Sequence, residues 1–209
     1  MNSNKNEDEN LDEISIDINL SQPSELDEFK QLWDEAAEIC DANSNQSSFE
    51  GYVSADYRAV YESLVILQGH ASTFLEWGSG LGVVSIMASR MGFEAYGIES
   101  QSELVEYARL LSRAYQSNAK FAAGDFMPDD FEWSPAKGHQ AKRSGIDAGA
   151  GYAELDKELA DFDLIYAYPR PEEHVLFESI IKDCGRPGSL LLSYDAEEGI
   201  NLVRIKPDP

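Results

Sequence analysis

"FLEWGSGLGVVSIMASRMGFEAYGIES", Phe74 to Ser100, places an apolar run, a glycine-dense turn, a helical run and a second apolar run in succession. Glycines between a strand and a helix adopt backbone angles closed to other residues and let a ligand come close to the main chain. The helix that follows offers unpaired N–H groups and the positive end of its dipole. Several nucleotide cofactors are held this way, so the spacing has to discriminate among them. A dinucleotide turn reads G-x-G-x-x-G. Here the glycines are Gly78, Gly80 and Gly82, and Val83 stands where the third would fall. The pattern is G-x-G-x-G.

Outward from this turn, strand and helix alternate. "STFLEW" is a strand and "VVSIMASRM" a helix ended by Gly92; "EAYGIE" is the second strand and "SELVEYARLLSRAYQS" its helix. "KFAAGDF" and "FDLIYAY" are strands three and four, "EEHVLFESIIKDC" is a helix, and "GRPG" turns into a fifth strand, "SLLLSYD". "INLVRIK" reads as a final antiparallel edge strand. This repetition predicts an α/β fold of three layers, a mostly parallel Rossmann-like sheet with helices on both faces. Upstream, Phe29, Leu32, Trp33, Ala36 and Ile39 recur at helical spacing, and "SADYRAVYESLVILQG" repeats the pattern with Ser54 as its cap and Gly69 as its end. The expected organisation is an acidic, disordered tail over 1–28, capping helices over 29–70 and the core over 71–209. Within the core, 127–152 is too long and too rich in Gly, Ser and Pro for a routine connector. It carries Lys137, Lys142 and Arg143, and reads as a solvated loop or a substrate-facing lid.

Charge narrows the partners. The formal net charge is −23, and the first 28 residues hold nine acids against Lys5, leaving −15 for the rest. Nucleic-acid affinity rests on cationic contacts to phosphate, so a field of this sign argues against DNA or RNA. It suits solubility, or a cationic protein, peptide or amine as ligand. "MNSNKNEDENLDE" has no apolar leader, no run approaches a membrane span, and Cys40 and Cys184 have no metal or redox spacing. A cytoplasmic protein with reduced thiols, without metal or membrane, is the expectation.

Together, "LEWGSGLGVV", "YGIES", "AAGDF" and "FDLIYAYP", in that order over residues 52–193, resemble the class I S-adenosylmethionine-dependent methyltransferases. The resemblance implies the three-layer methyltransferase fold, S-adenosyl-L-methionine as cofactor and methyl transfer to an acceptor. It implies that the Gly78, Ser79, Gly80, Gly82 turn cradles the methionine part and that Glu76 helps orient its ammonium. Glu99, followed by Ser100, would bind both ribose hydroxyls, since a carboxylate accepts two hydrogen bonds at once. Asp125, after Gly124, would receive the adenine amino group, with Phe126 offering its N–H and packing beside the ring.

The acceptor would sit over the end of the fourth strand, "DLIYAYPRPEEH". Enzymes of this family that methylate bases or glutamine read Asn or Asp, Pro, Pro, aromatic there. This chain has Tyr168, Pro169, Arg170 and Pro171. Tyr166 and Tyr168 are expected on opposite sides of the strand, Tyr166 beside the cofactor and Tyr168 as the candidate catalytic residue at the rim. Arg170 could hold a carboxylate, His174 could act as a base, and Tyr52, Asp56 and Tyr57 are further candidates for the pocket. Aromatic rings beside a sulfonium would gain cation–π attraction. The alternatives are a methyltransferase-like module that works through partners without catalysis, and a nicotinamide oxidoreductase, against which Val83 and "GDF" speak. The acceptor and the oligomeric state are not written in the sequence.

Overall fold

The computed structural model describes residues 11–14, 23–137, 149–170, 172–195 and 199–206. Its strands are β1 (Leu11–Glu13), β2 (Thr73–Trp77), β3 (Glu94–Glu99), β4 (Lys120–Ala123), β5 (Leu164–Ala167), β6 (Leu190–Asp195) and β7 (Gly199–Ile205). They form one sheet in the order β1-β7-β6-β5-β2-β3-β4. The pairs β2–β3, β2–β5, β3–β4 and β5–β6 are parallel, and β7 runs against both β6 and β1. The helices are α1 (Pro23–Asn43), α2 (Tyr57–Leu67), α3 (Val83–Arg90), α4 (Ser102–Ala114), α5 (Ala150–Leu155) and α6 (His174–Cys184).

Side chains alternate along each strand, and the alternation divides the core in two. Phe74, Ala95, Phe121, Leu164, Leu190, Leu192 and Leu202 face one side, where residues of α1, α2, α3 and α4 cover them. Leu75, Trp77, Tyr96, Ile98, Ala122, Ile165, Ala167, Leu191 and Val203 face the other, under Tyr152 of α5 and Leu176, Phe177, Ile180 and Ile181 of α6. From β2 the chain steps through β3 to β4, then jumps back to β5 on the far flank of β2. This reversal leaves a crevice at the carboxyl ends of β2 and β5, where sheets of this kind bind ligands.

Four expectations are corrected. β7 is antiparallel but is not the edge: β1 pairs outside it, Leu11 opposite Ile205, and the Ile14 amide bonds the Leu202 carbonyl at 2.8 Å. The polar row of β7 needed a partner, so part of the expected tail belongs to the sheet, and α1 begins at Pro23 rather than near residue 29. Residues 1–10 and 15–22 lie outside the described residues. The cap of α2 is Asp56, whose carboxylate accepts from the Arg58 and Ala59 amides, not Ser54. The 127–152 segment is also not all loop. A 3-10 turn spans Pro135–Lys137, and α5 starts inside it and buries Tyr152. Lys137 pairs with Asp183 at 2.7 Å and sits over the Phe131 ring. Lys142 and Arg143 lie outside the described residues.

Candidate active site

The glycine turn sits at the carboxyl end of β2. Gly78 and Gly80 have φ of +65° and +52°, the left-handed region that suits glycine. A side-chain carbon at Gly78 would meet nothing within 4 Å, so space stands open over the turn there, whereas one at Gly80 would run into the Tyr52 ring. At Gly82, which begins α3, the Phe121 ring and Ala108 press against the backbone. That is the close helix–strand contact a dinucleotide turn makes at its third glycine, met here one position earlier. Ser79 donates its amide to the Ile98 carbonyl at 3.0 Å, while its hydroxyl is buried without a partner among the described residues.

Glu99, at the end of β3, is 8% exposed and bends over the turn. Its Oε2 accepts from the Gly80 amide at 2.9 Å, and its Oε1 from the Gln101 amide at 2.9 Å and the Ser100 hydroxyl at 3.0 Å. A carboxylate has about four acceptor sites, and three are in use. Two ribose hydroxyls would therefore displace one donor, and the Ser100 hydroxyl is the one that can rotate away. Glu76, one strand over, is 5% exposed and points under α3. Ser85 of α3 gives both its amide, at 2.9 Å, and its hydroxyl, at 2.7 Å, to Oε2 of Glu76. Burial lifts this carboxyl to about 8, despite the two Ser85 bonds, and the Glu99 charge adds to the rise. Such a group gains from an ammonium placed beside it.

After β4, the Gly124 amide bonds the Glu99 carbonyl at 2.9 Å, and α5 lies so close that any side chain at Gly124 would strike Gly151. Asp125 accepts from the Met127 amide at 2.9 Å. The Phe126 ring is not offered to the turn. It stacks on Trp77 at 5.0 Å and 14° and meets Phe177 at 5.1 Å, on the α6 face.

Tyr166 and Tyr168 do not face opposite sides, because residues two apart on a strand share a face. Tyr166 lies beside Glu76 in the sheet register and is 2% exposed, and its hydroxyl has no hydrogen-bond partner among the described residues. Burial raises its pKa well above the usual value, and Glu76, Tyr57, Tyr168 and Tyr194 add to that. Tyr168, half-buried, meets the edge of Tyr194 at 5.1 Å and 73°. Tyr57 joins Tyr52 through their hydroxyls at 3.0 Å. Asp56 caps its helix and is exposed. Arg170 is exposed and its guanidinium lies against Gly51. The His174 ring is 3.2 Å from Asp195, which pins the start of α6 to the end of β6. Sequence reasoning missed two participants. Ser85 is the serine in the first turn after the glycines, and Tyr194 stands near the end of β6 as Tyr168 follows β5; those positions are the signal that could have found them.

The open space over Gly78, the orphaned Ser79 hydroxyl and the two buried acids fit a ligand with an amino acid end and a ribose. No family model and no curated protein matches the chain. Solved structures do. An RNA methyltransferase from Salinibacter ruber, in complex with S-adenosyl-L-homocysteine, aligns with a TM-score of 0.52 at 16% identity, covering 76% of this chain and 95% of that one. A hypothetical protein of Thermus thermophilus reaches 0.47 at 17% identity, over 72% and 84%. An S-adenosylmethionine-dependent methyltransferase from Clostridium acetobutylicum reaches 0.43 at 12%, over 78% and 56%. The overlay with the Salinibacter enzyme shows the architecture: this chain has a methyltransferase fold. It is the Rossmann-like form the sequence motifs resemble, with β1 as its edge strand.

Proposed function

We propose that the protein is an S-adenosylmethionine-dependent methyltransferase. One observation carries the reading: Glu99 is held over the glycine turn by the Gly80 amide at the crevice where the strand order reverses. In this reading the turn and Glu76 hold the methionine end, Glu99 the ribose, and Asp125 with the Phe126 main chain the adenine. Bound S-adenosylmethionine supplies the methyl group, and the acceptor supplies the electron pair. The chain's part is to orient the two in line. The −23 charge disfavours a nucleic-acid acceptor. A cytoplasmic location belongs to the same proposal: Cys40 and Cys184 are free thiols, and burial pushes Cys184 up to about 12, away from the reactive thiolate.

Titration calorimetry with S-adenosylmethionine, S-adenosylhomocysteine and NAD tests the proposal. The first two should bind in the micromolar range and NAD should not. Glu99→Gln, which keeps an acceptor for the Gly80 amide, should bind about 10-fold more weakly, and Glu99→Ala at least about 100-fold, since two hydrogen bonds to a charged group are lost. Binding of NAD alone, or of neither sulfur compound, would overturn it.

A further inference from the structure

The register sets out two rows of side chains on the α1–α4 face. On the opposite, α6, face Trp77 pairs with Ile98 and Ala167, and Ala167 with Ser193, which fixes the register. One position further on the α1–α4 face, Glu99 reaches the Gly80 amide of the glycine turn, and the Tyr168 ring meets Tyr194 at 5.1 Å. The row beneath is Gly97, Glu76, Tyr166 and Leu192. The acids and glycines thus stand at one end of the crevice and the tyrosines at the other. Tyr57 comes down from α2 to join them, within electrostatic reach of Glu76.

This second end is a built surface without an assigned ligand. The Tyr166 hydroxyl is more than nine-tenths buried with nothing to bond among the described residues, which costs free energy unless a ligand fills the place. Tyr168 and Tyr194 are half-buried, so their rings border the opening. Phenols, the Glu76 carboxyl, Leu192 and Asp195, which the His174 ring meets at 3.2 Å, make up this wall. A carboxylate or phosphate brought here would face Glu76 and Asp195. A cation would find ring faces, and the acidity of the whole chain would concentrate cations at its mouth.

We propose that Tyr57, Tyr166, Tyr168 and Tyr194, with Glu76 behind them, bind the methyl acceptor and that this acceptor is an alkyl amine, arriving as its ammonium ion. The proposal rests on the methyltransferase reading for its chemistry, though not for its binding test. The ammonium sits against the rings and donates one N–H to the Tyr166 oxygen. It sheds a proton to water at the half-open Tyr168–Tyr194 side. The freed lone pair then forms the new nitrogen–carbon bond while the methyl–sulfur pair stays on sulfur. The positive charge passes to the methylated amine, which the same rings hold.

The test is a titration of the full chain, tyrosine rings labelled with 13C, with n-butylammonium, tetramethylammonium, butyrate and phenol, with and without S-adenosylhomocysteine. The two cations should shift the Tyr168 and Tyr194 ring signals, and butyrate and phenol should not. Tyr168→Leu should weaken butylammonium binding about 10-fold while Tyr168→Phe, which keeps the ring, should stay within about 2-fold of wild type. S-adenosylhomocysteine affinity should be the same in all three. Phenol or butyrate binding as well as butylammonium, or an unchanged Tyr168→Leu, would sink the amine assignment. Cofactor binding without cation binding also refutes it and leaves the methyltransferase reading standing. Cation binding without cofactor binding does the reverse.

Discussion

The two faces of the sheet are built on different principles. On the α6 face the strands present Leu75, Trp77, Ile98, Ile165, Ala167 and Leu191, and the polar tip of the largest ring there is satisfied: the Trp77 ring N–H donates to the Tyr152 hydroxyl at 2.9 Å. On the α3 face the same strands present Glu76, Glu99, Tyr166 and Gly97 among the apolar residues. Two buried hydroxyls, those of Ser79 and Tyr166, go unpaired there among the described residues. One face is finished without a ligand. The other carries unmet polar groups that a ligand would satisfy. Stability and function therefore occupy opposite sides of single strands, one residue apart.

That contrast can be broken by single substitutions. The largest effect is expected on the finished face. Leu75→Ala removes a fully buried side chain and should cost about 3–4 kcal/mol in denaturant unfolding. Calorimetry on the remaining folded protein should find cofactor affinity unchanged; a loss of affinity there would mean that the faces are not independent.

Glu76→Gln should act in the other direction. The Glu76 carboxyl, ordinarily near 4.5, is lifted to about 8 chiefly by burial. The folded state thus binds this proton more tightly than the unfolded chain. Its stabilising contribution is fully present below pH 4.5 and is lost as pH rises toward 8. The glutamine stays neutral and can still accept from Ser85. It should therefore gain on the order of 3 kcal/mol over wild type at pH 7, and nothing near pH 4. Thermal melts at the two pH values check this, and parallel curves across the range would contradict it. With S-adenosylhomocysteine present the ranking should reverse, because its ammonium favours the charged acid.

Tyr166→Phe is the smallest and the sharpest. It deletes a buried hydroxyl with no hydrogen-bond partner among the described residues, so unfolding should change by less than about 1 kcal/mol, in the stabilising direction. Methyl transfer or amine binding should nevertheless fall. A destabilised Tyr166→Phe would show that the hydroxyl has a partner in the free protein.

Much of this is legible from short stretches of sequence alone. The G-x-G-x-G spacing, the acids at Glu76, Glu99 and Asp125 and the order of strand and helix each depend on a few neighbouring residues. The folded chain keeps that order and sets the three acids at the carboxyl ends of β2, β3 and β4. The readings that went astray depended on distant partners. Leu11–Glu13 has no strand signal of its own and becomes one only because β7 has a free edge. Nor do the neighbours of Phe126 show that its ring stacks on Trp77 and meets Phe177, 49 and 51 residues away.

By itself the sequence determined the alternation of elements, a glycine turn whose main chain a ligand can approach and the acidity that repels polyanions, because these follow from residue period, local backbone freedom and summed charge. Tertiary structure alone decided which strands lie side by side. That register seats Tyr166 next to Glu76 and Tyr194 next to Tyr168, and brings Tyr52 down on Gly80. Whether a buried group is satisfied or waiting is a property of its neighbours in space, and the chain order does not carry it.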